Sequence, residues 1–440
     1  MAPYNAPRWA SLVTTQASAH IAQPAGLSVS FAGLCCFLLP VLCVPTVQVV
    51  GQLMLADIVI IPLFLYLLMS RHYAFVLPFA RLCMGFIALW FLSAVITDVY
   101  RGTSASDFLR TWSKIVLLGS YFGTFALLIG GRRERLYTAF AGIGVMFLLR
   151  WVVASNPYQL GGFFSPMAWK FGNGEGVMLL VGLALIPVSK WLQSGGLLGF
   201  AALHFLFNAR ALIASTVMAA LAPLVSVKAR STTAQVLLVG SMFAGITALI
   251  PIGELAYTAL IEAGIAGDAA LEKHRAQTRA GTGVLIGGRA EMLVSWRAVL
   301  DSPVLGHGSW AENIEYKVDY LRAREAMGMT APWDQLHLDL QIPSHSHVLG
   351  AWIESGFAGA LFWGAAFVLM ARALAYGLVK QAFVSGIEYA VLLRCLWEIL
   401  FSPFGLYYRL TMAVFLVGAL CIIGDAKTSS GPKYLLKRRP

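Results

Sequence analysis

Charge is what this chain has least of. Of its 440 residues, 12% are Asp, Glu, Lys or Arg, against roughly 25% in a soluble domain. Too little charge is present to solvate a disordered chain or to coat a water-facing surface. Cysteine is sparse as well: there are 6. All lie in apolar stretches without a C-x-x-C or Cys/His cluster, which excludes a secreted disulfide framework and a zinc site. There is no internal repeat, low-complexity tract, Walker motif or G-x-G-x-x-G in a strand-to-helix context, which argues against a nucleotide-driven pump. A cleavable signal is not expected, because Arg8 is the only charge before Asp57 and the apolar run 31–50 lacks a small-residue cleavage pattern.

What the chain holds in excess is apolar side chain, 58% of all residues. So much of it cannot be enclosed by so little polar surface in water, and the matching solvent is lipid. The expected fold class is an all-α polytopic membrane protein. Charge-poor runs predict spans at 31–50, 53–69, 79–97, 114–130, 136–154, 176–192, 195–208, 210–227, 233–252, 347–371, 382–401 and 407–424, or 12 in all. The seventh and eighth are short and meet at Asn208-Ala209-Arg210.

Lys/Arg bias sets the expected orientation. With a cytoplasmic N-terminus, inner segments carry 16 Lys/Arg and the short outer segments carry 8. Both termini are therefore expected in the cytoplasm. The order of parts is 1–252 for nine helices, 253–344 for a helical outer loop, 345–424 for three further helices, and 425–440 for a basic tail. The loop carries 8 Lys/Arg and 12 Asp/Glu, so the net charge of +11 comes from the rest of the chain. That charge orients the bundle and marks the outer helix ends; it does not indicate nucleic acid. Within the loop, Met292, Leu293, Trp296, Val299 and Leu300 predict an amphipathic helix ending before Pro303, and Ile314, Val318 and Leu321 a second. Such stripes either lie on the bilayer or cap the membrane bundle.

Ionisable groups near membrane depth are the first functional candidates, although many serve only as anchors or pairs. Arg210 sits at an outer turn in FNARALIAS, where it either binds an anion or fixes helix depth. Glu388, Arg394 and Glu398 lie on nearby helical faces at spacings of 6 and 4, and an internal ion pair is expected there. Arg289 follows Gly287-Gly288 and opens the first amphipathic helix; a guanidinium there offers several donors to an anion. His345 and His347 flank Ser346 where the loop re-enters the membrane, with Ser344 as the expected helix cap. Gly356 and Gly359 follow in the same expected helix, at a spacing that permits close packing.

His345-Ser346, nine residues and then Gly356-Phe357-Ala358-Gly359 fits the H-[N/S/Q]-x9-G-x-x-G pattern, and the chain resembles the bacterial O-antigen ligases. The order of Arg210 at an outer turn, then Gly288, Arg289, Trp296, Pro303, Gly306 and Gly308, then the histidine helix, is similar to that family too. The sequence-specific part of the likeness spans about 205–365. The resemblance implies a GT-C-like bundle that moves a glycan from undecaprenyl pyrophosphate to a sugar hydroxyl of lipid A-core at the outer face of the bacterial inner membrane. It carries the family's histidine to His345 and its two arginines to Arg210 and Arg289. His347 matches no motif position and is kept as a substrate-binding candidate, with Lys170, Arg150 and Arg409 as further positive charge near the outer face. WKFGNGEG brings Lys170 and Asn173 into the region where the family often carries an asparagine.

On this reading two arginines clamp the pyrophosphate while His345 activates the acceptor hydroxyl, and direct displacement inverts the anomeric carbon. No outer D-x-D or acidic cluster is evident, so metal-independent transfer by a monomer without a cofactor is expected. Membrane lipid is the other expected partner. A polymerase of the same superfamily would carry R-x10-G, but Leu221 and Leu300 stand where the glycines would be. A protein O-glycosyltransferase differs mainly in acceptor. A lipid-linked glycan transporter would explain many spans without requiring a folded loop that ends in a histidine.

Overall fold

The computed structural model describes residues 30–70, 72–153, 162–207, 209–225, 290–327, 329–379 and 382–429, with a few isolated positions between 231 and 263. The expected span 233–252, Arg289 and residues 430–440 of the tail fall largely or wholly outside them, as does the side chain of Arg210.

Helices make up most of the described chain. Five are long and apolar enough to cross a membrane: α3 (Ala80–Arg101), α4 (Ala105–Ile129), α5 (Arg133–Val153), α12 (Phe357–Leu378) and α14 (Tyr408–Ser429). Before them come α1 (Phe31–Val41) and α2 (Leu55–Met69), and among them α6 (Gly174–Ala184), α7 (Lys190–Leu206), α8 (Arg210–Leu221) and α13 (Gly386–Phe401). α9 (Ala290–Asp301) and α10 (Ile314–Ala326) belong to the loop, and α11 (His347–Ser355) leads out of it.

Burial shows how the bundle is layered. The apolar windows of α4 and α14 are 78% and 83% buried, whereas that of α3 is only 33% buried despite a mean hydropathy of 2.0. Leu82, Leu89, Leu92 and Ile96 stand exposed along α3, as do Ile58, Leu65 and Leu68 along α2. α4 and α14 thus form an inner pair, and the outer helices turn apolar faces away from the protein. Contiguous exposed apolar surface of this extent is stable only against lipid, which makes this a membrane protein of all-α class.

Several boundaries depart from the sequence expectation, each for a physical reason. The run 31–50 is not one helix. α1 ends at Val41, one residue past Pro40, and Pro45 leads into an antiparallel hairpin, β1 (Thr46–Gln48) and β2 (Gln52–Met54), with Val47 opposite Leu53. Proline removes backbone donors and β-branched residues favour the extended chain. α4 begins nine residues before the expected 114, capped by Ser104 on Asp107 N at 3.3 Å. A search for charge-free runs truncated it, because Asp107, Arg110 and Lys114 occupy its first turns. α7 and α8 are separate helices that pack together, joined by a short turn in which Ala209 N donates to His204 O.

The largest correction concerns 347–371. It is broken at Gly356, whose φ of 68° lies in the left-handed region. A straight helix would separate residues 347 and 363 by about 24 Å at 1.5 Å per residue. Their rings instead lie 4.7 Å apart, so α11 folds back along α12. His345 therefore precedes a nine-residue helix rather than a membrane span.

Cross-helix pairs sort the bundle into two ends. At the end opposite the β-hairpin, Arg133 at the start of α5 meets Glu388 at the start of α13 (2.5 Å) and Asp425 near the end of α14 (2.7 Å). At the hairpin end, Asp57 pairs with Arg409, Arg110 donates to Val50 O, and Lys114 pairs with Glu354. Contacts between non-neighbouring helices thus gather the starts of α5 and α13 with the end of α14, and the starts of α4 and α14 with the hairpin.

Candidate functional site

The segment after α9 is where the motif glycines belong. Residues 302–310 run between α3 and the α11–α12 bend. Thr97 Oγ1 donates to Leu305 O (2.5 Å), Arg101 Nη2 to Gly306 O (2.7 Å), and Asp98 accepts from Ser309 N and Oγ, both at 2.7 Å. Trp112 Nε1 also donates to Asp98 (2.8 Å). From the other side, His307 N donates to Ile353 O (2.7 Å), Gly308 N to Glu354 O (3.2 Å) and Phe357 N to Val304 O (3.2 Å).

Backbone meets backbone here, so side chains must be absent. Gly306 has φ 80°, and a Cβ on it would lie 2.6 Å from Gly356 N. A Cβ on Gly356 would overlap Val304 O, and one on Gly359 would sit 2.5 Å from Ala351 O. The "G.G" and "G-x-x-G" elements, about fifty positions apart in the chain, are two halves of one contact. Asp98, Arg101 and the Lys114–Glu354 pair complete it, and none of them was singled out in the sequence as part of the site. An acid buried within an apolar helix, as Asp98 is, was the available signal.

α9 packs along α11 in the same direction. Ser295 Oγ in α9 donates to Pro343 O (2.7 Å), just before α11, while Ala298 O lies 2.7 Å from His307 Nε2 beside Ile353 near the α11 C-terminus. Val294, Ala298 and Val299 share an apolar core with Leu349 and Ile353. The first described residue after Arg289 and the turn containing His345 are consequently at the same end of the parallel pair.

The two histidines divide sharply. His345 is exposed. The N-cap is Ser346, not Ser344: Leu349 N donates to Ser346 Oγ at 3.3 Å, and Ser346 Oγ donates to Ile399 O at 3.0 Å. His347 is fully buried; its Nδ1 lies 2.5 Å from Ser402 O, and Trp363, Phe404 and Tyr408 meet its ring edge-to-face at 4.7, 5.2 and 4.9 Å. Such an enclosure describes a packed core histidine that ties α11 to α13 and α14. No substrate reaches it without repacking three rings.

The additional positive charges are distributed unevenly. Arg409 is buried against Asp57, which also accepts from Met54 N (2.7 Å) and Tyr121 Oη (2.9 Å). Its charge is neutralised locally. Arg150 stacks its guanidinium 3.3 Å from the centre of the Tyr407 ring. Lys170 is exposed on the π-helical turn Trp169–Asn173, 4.9 Å from the Phe171 ring. In that turn Asn173 Nδ2 donates to Phe163 O (3.0 Å), and Trp169 Nε1 donates to His204 Nδ1 (2.9 Å), next to Ala209 at the start of α8. The buried Arg394–Glu398 pair at 2.7 Å is internal, as expected, while Glu388 turns instead to Arg133.

α10 is tied to α9 and to the segment before α11. Tyr316 Oη donates to Asp301 (2.7 Å), and burial with that bond pushes its phenol up to about 12. For Asp339, burial acts upward, but Lys317 at 2.8 Å and Gln341 N outweigh it and hold the carboxyl below its ordinary value. The chain matches no protein-family model, no curated protein and no solved structure.

Proposed function

We propose that this protein is a GT-C-like glycosyltransferase of the bacterial inner membrane, with twelve spans, both termini in the cytoplasm and its site on the periplasmic side. It transfers O-antigen polysaccharide from undecaprenyl pyrophosphate to a sugar hydroxyl of lipid A-core. The observation that carries this reading is the parallel α9–α11 pair, locked by Gly306 and Gly356, which brings the chain just after Arg289 to the His345 turn.

The chemistry follows from that arrangement. An exposed histidine can accept the proton of an acceptor hydroxyl. The hydroxyl oxygen then attacks the anomeric carbon from the face opposite the leaving group, and the carbon–oxygen bond to the pyrophosphate breaks with inversion. Arg289 and Arg210 stabilise the charge that develops on the leaving pyrophosphate, with Lys170 and Arg150 adding positive field. The transfer needs neither metal nor cofactor. Deletion in the host followed by gel analysis of its lipopolysaccharide tests the assignment. Ligase loss leaves bare core and stranded lipid-linked polymer; core capped with one repeat would indicate a polymerase, and unchanged lipopolysaccharide a protein glycosyltransferase. A transporter would instead move its substrate without forming a bond.

A further inference from the structure

α9 has one apolar face more than its packing uses. Val294, Ala298 and Val299 are buried toward α11. Leu293, Trp296 and Leu300 nevertheless point the other way, 57%, 52% and 61% exposed, and Val304 extends the line beyond the helix. At 100° per residue Leu293, Trp296 and Leu300 fall within an arc of about 60° on the side away from the buried face, and Val304 follows past the helix end. Arg297 lies between the two apolar faces and pairs with Asp301 and with Asp319 of α10. A helix separating a core from water needs only one apolar stripe.

The second stripe continues into the lipid-facing surface of the bundle. The Trp296 ring meets Trp352 edge-on at 6.3 Å, and Trp352 meets Phe357 at 6.2 Å. Phe357 is exposed and is the first residue of α12, a helix of membrane-crossing length. Indole rings favour the boundary between headgroups and acyl chains. Trp352 satisfies its own N–H on Pro303 O at 2.7 Å, leaving the ring to the apolar side. We propose that α9 is an in-plane interfacial helix whose Leu293/Trp296/Leu300/Val304 stripe is seated in the outer boundary of the phospholipid bilayer. α9 thereby couples the depth of the loop to the membrane surface independently of any transfer chemistry.

The test uses the full chain in phosphatidylethanolamine/phosphatidylglycerol vesicles. In a Cys35→Ala background, the remaining cysteines being buried, Leu293→Cys and Leu300→Cys are each spin-labelled. Arg322→Cys on α10 serves as reference, its side chain being 71% exposed. The expected result is several-fold greater oxygen collision and several-fold lower nickel-chelate collision at 293 and 300 than at 322. Nickel access at 300 equal to that at 322 would place the stripe in water and overturn the proposal; dipolar broadening between labels at 300 would instead assign the face to a second copy. Trp296→Phe, which keeps the fold, supplies a second reading with brominated phospholipid. The tryptophan emission it removes should be the lipid-quenched part, and loss of unquenched emission counts against the bilayer. None of these outcomes depends on the glycosyltransferase reading, whose own test is the lipopolysaccharide gel.

Discussion

Gly356 fills the side-chain space of Gly306: a Cβ on Gly306 would stand 2.6 Å from the Gly356 backbone nitrogen, and one on Gly356 would overlap Val304 O. Both hold positive φ, 80° and 68°, so alanine at either is strained by conformation as well as by contact. Gly306→Ala and Gly356→Ala should each lower stability by about 2–4 kcal/mol, read as earlier thermal unfolding in detergent. Gly364→Ala is the control. It meets nothing within 4 Å and should leave the transition in place or raise it.

His345 and His347 should separate activity from stability. His347→Ala empties a position enclosed by three aromatic rings and should cost roughly 2–4 kcal/mol, with loss of folded yield. His345→Ala changes an exposed side chain; it should shift stability by no more than about 0.5 kcal/mol while abolishing transfer of lipid-linked glycan to core. Retained turnover in well-folded His345→Ala protein would remove it from the mechanism.

Arg409 should behave as a structural residue. Arg409→Met strands the buried Asp57 carboxylate and should destabilise by about 3–5 kcal/mol. Adding Asp57→Asn should recover a large part of that loss. The diagnostic readout is a non-additive double-mutant cycle in unfolding temperature, with KM for donor unchanged in the rescued protein.

Lys114 and Glu354 join α4 to the end of α11 at 2.8 Å, each about one-fifth exposed. Partial solvent screening keeps the coupling modest, about 1 kcal/mol. Lys114→Met and Glu354→Gln should each destabilise, and the double variant should lose less than the sum, measured in the same unfolding assay.

Tyr316 gives the α9–α10 segment an alkaline limit. Its folded phenol titrates near 12, above the unfolded value of about 10, so its contribution is complete below about pH 10. It declines as pH rises toward 12. Tyr316→Phe should flatten the fall of loop stability across that window, followed by hydrogen exchange of α10 amides at increasing pH.

Helix type was legible because lipid imposes long apolar runs: α3, α5, α12 and α14 each overlap a charge-poor segment. Ends were less legible. Charged residues in a first turn, as in α4, look like loop to a hydropathy scan, and Pro40 and Pro45 cut a twenty-residue run into helix and hairpin. In the candidate site, the histidine–glycine spacing was visible, but what the spacing does was not. Nothing in a one-dimensional pattern shows that Gly356 ends a helix and meets Gly306.

The sequence by itself determined the solvent of this protein, since composition alone fixes how much apolar surface must be matched by lipid. It also determined which residues carry dissociable protons and fixed charge. Only the tertiary structure decided which of them face outward. His345 and His347 are two positions apart and of one residue type, yet one is exposed and the other sealed among Trp363, Phe404 and Tyr408. Arg409 looked available until Asp57, more than three hundred positions away, was placed beside it. Both outcomes have the same physical reason: burial and charge compensation are properties of neighbours in space, and those neighbours come from segments that the chain keeps far apart.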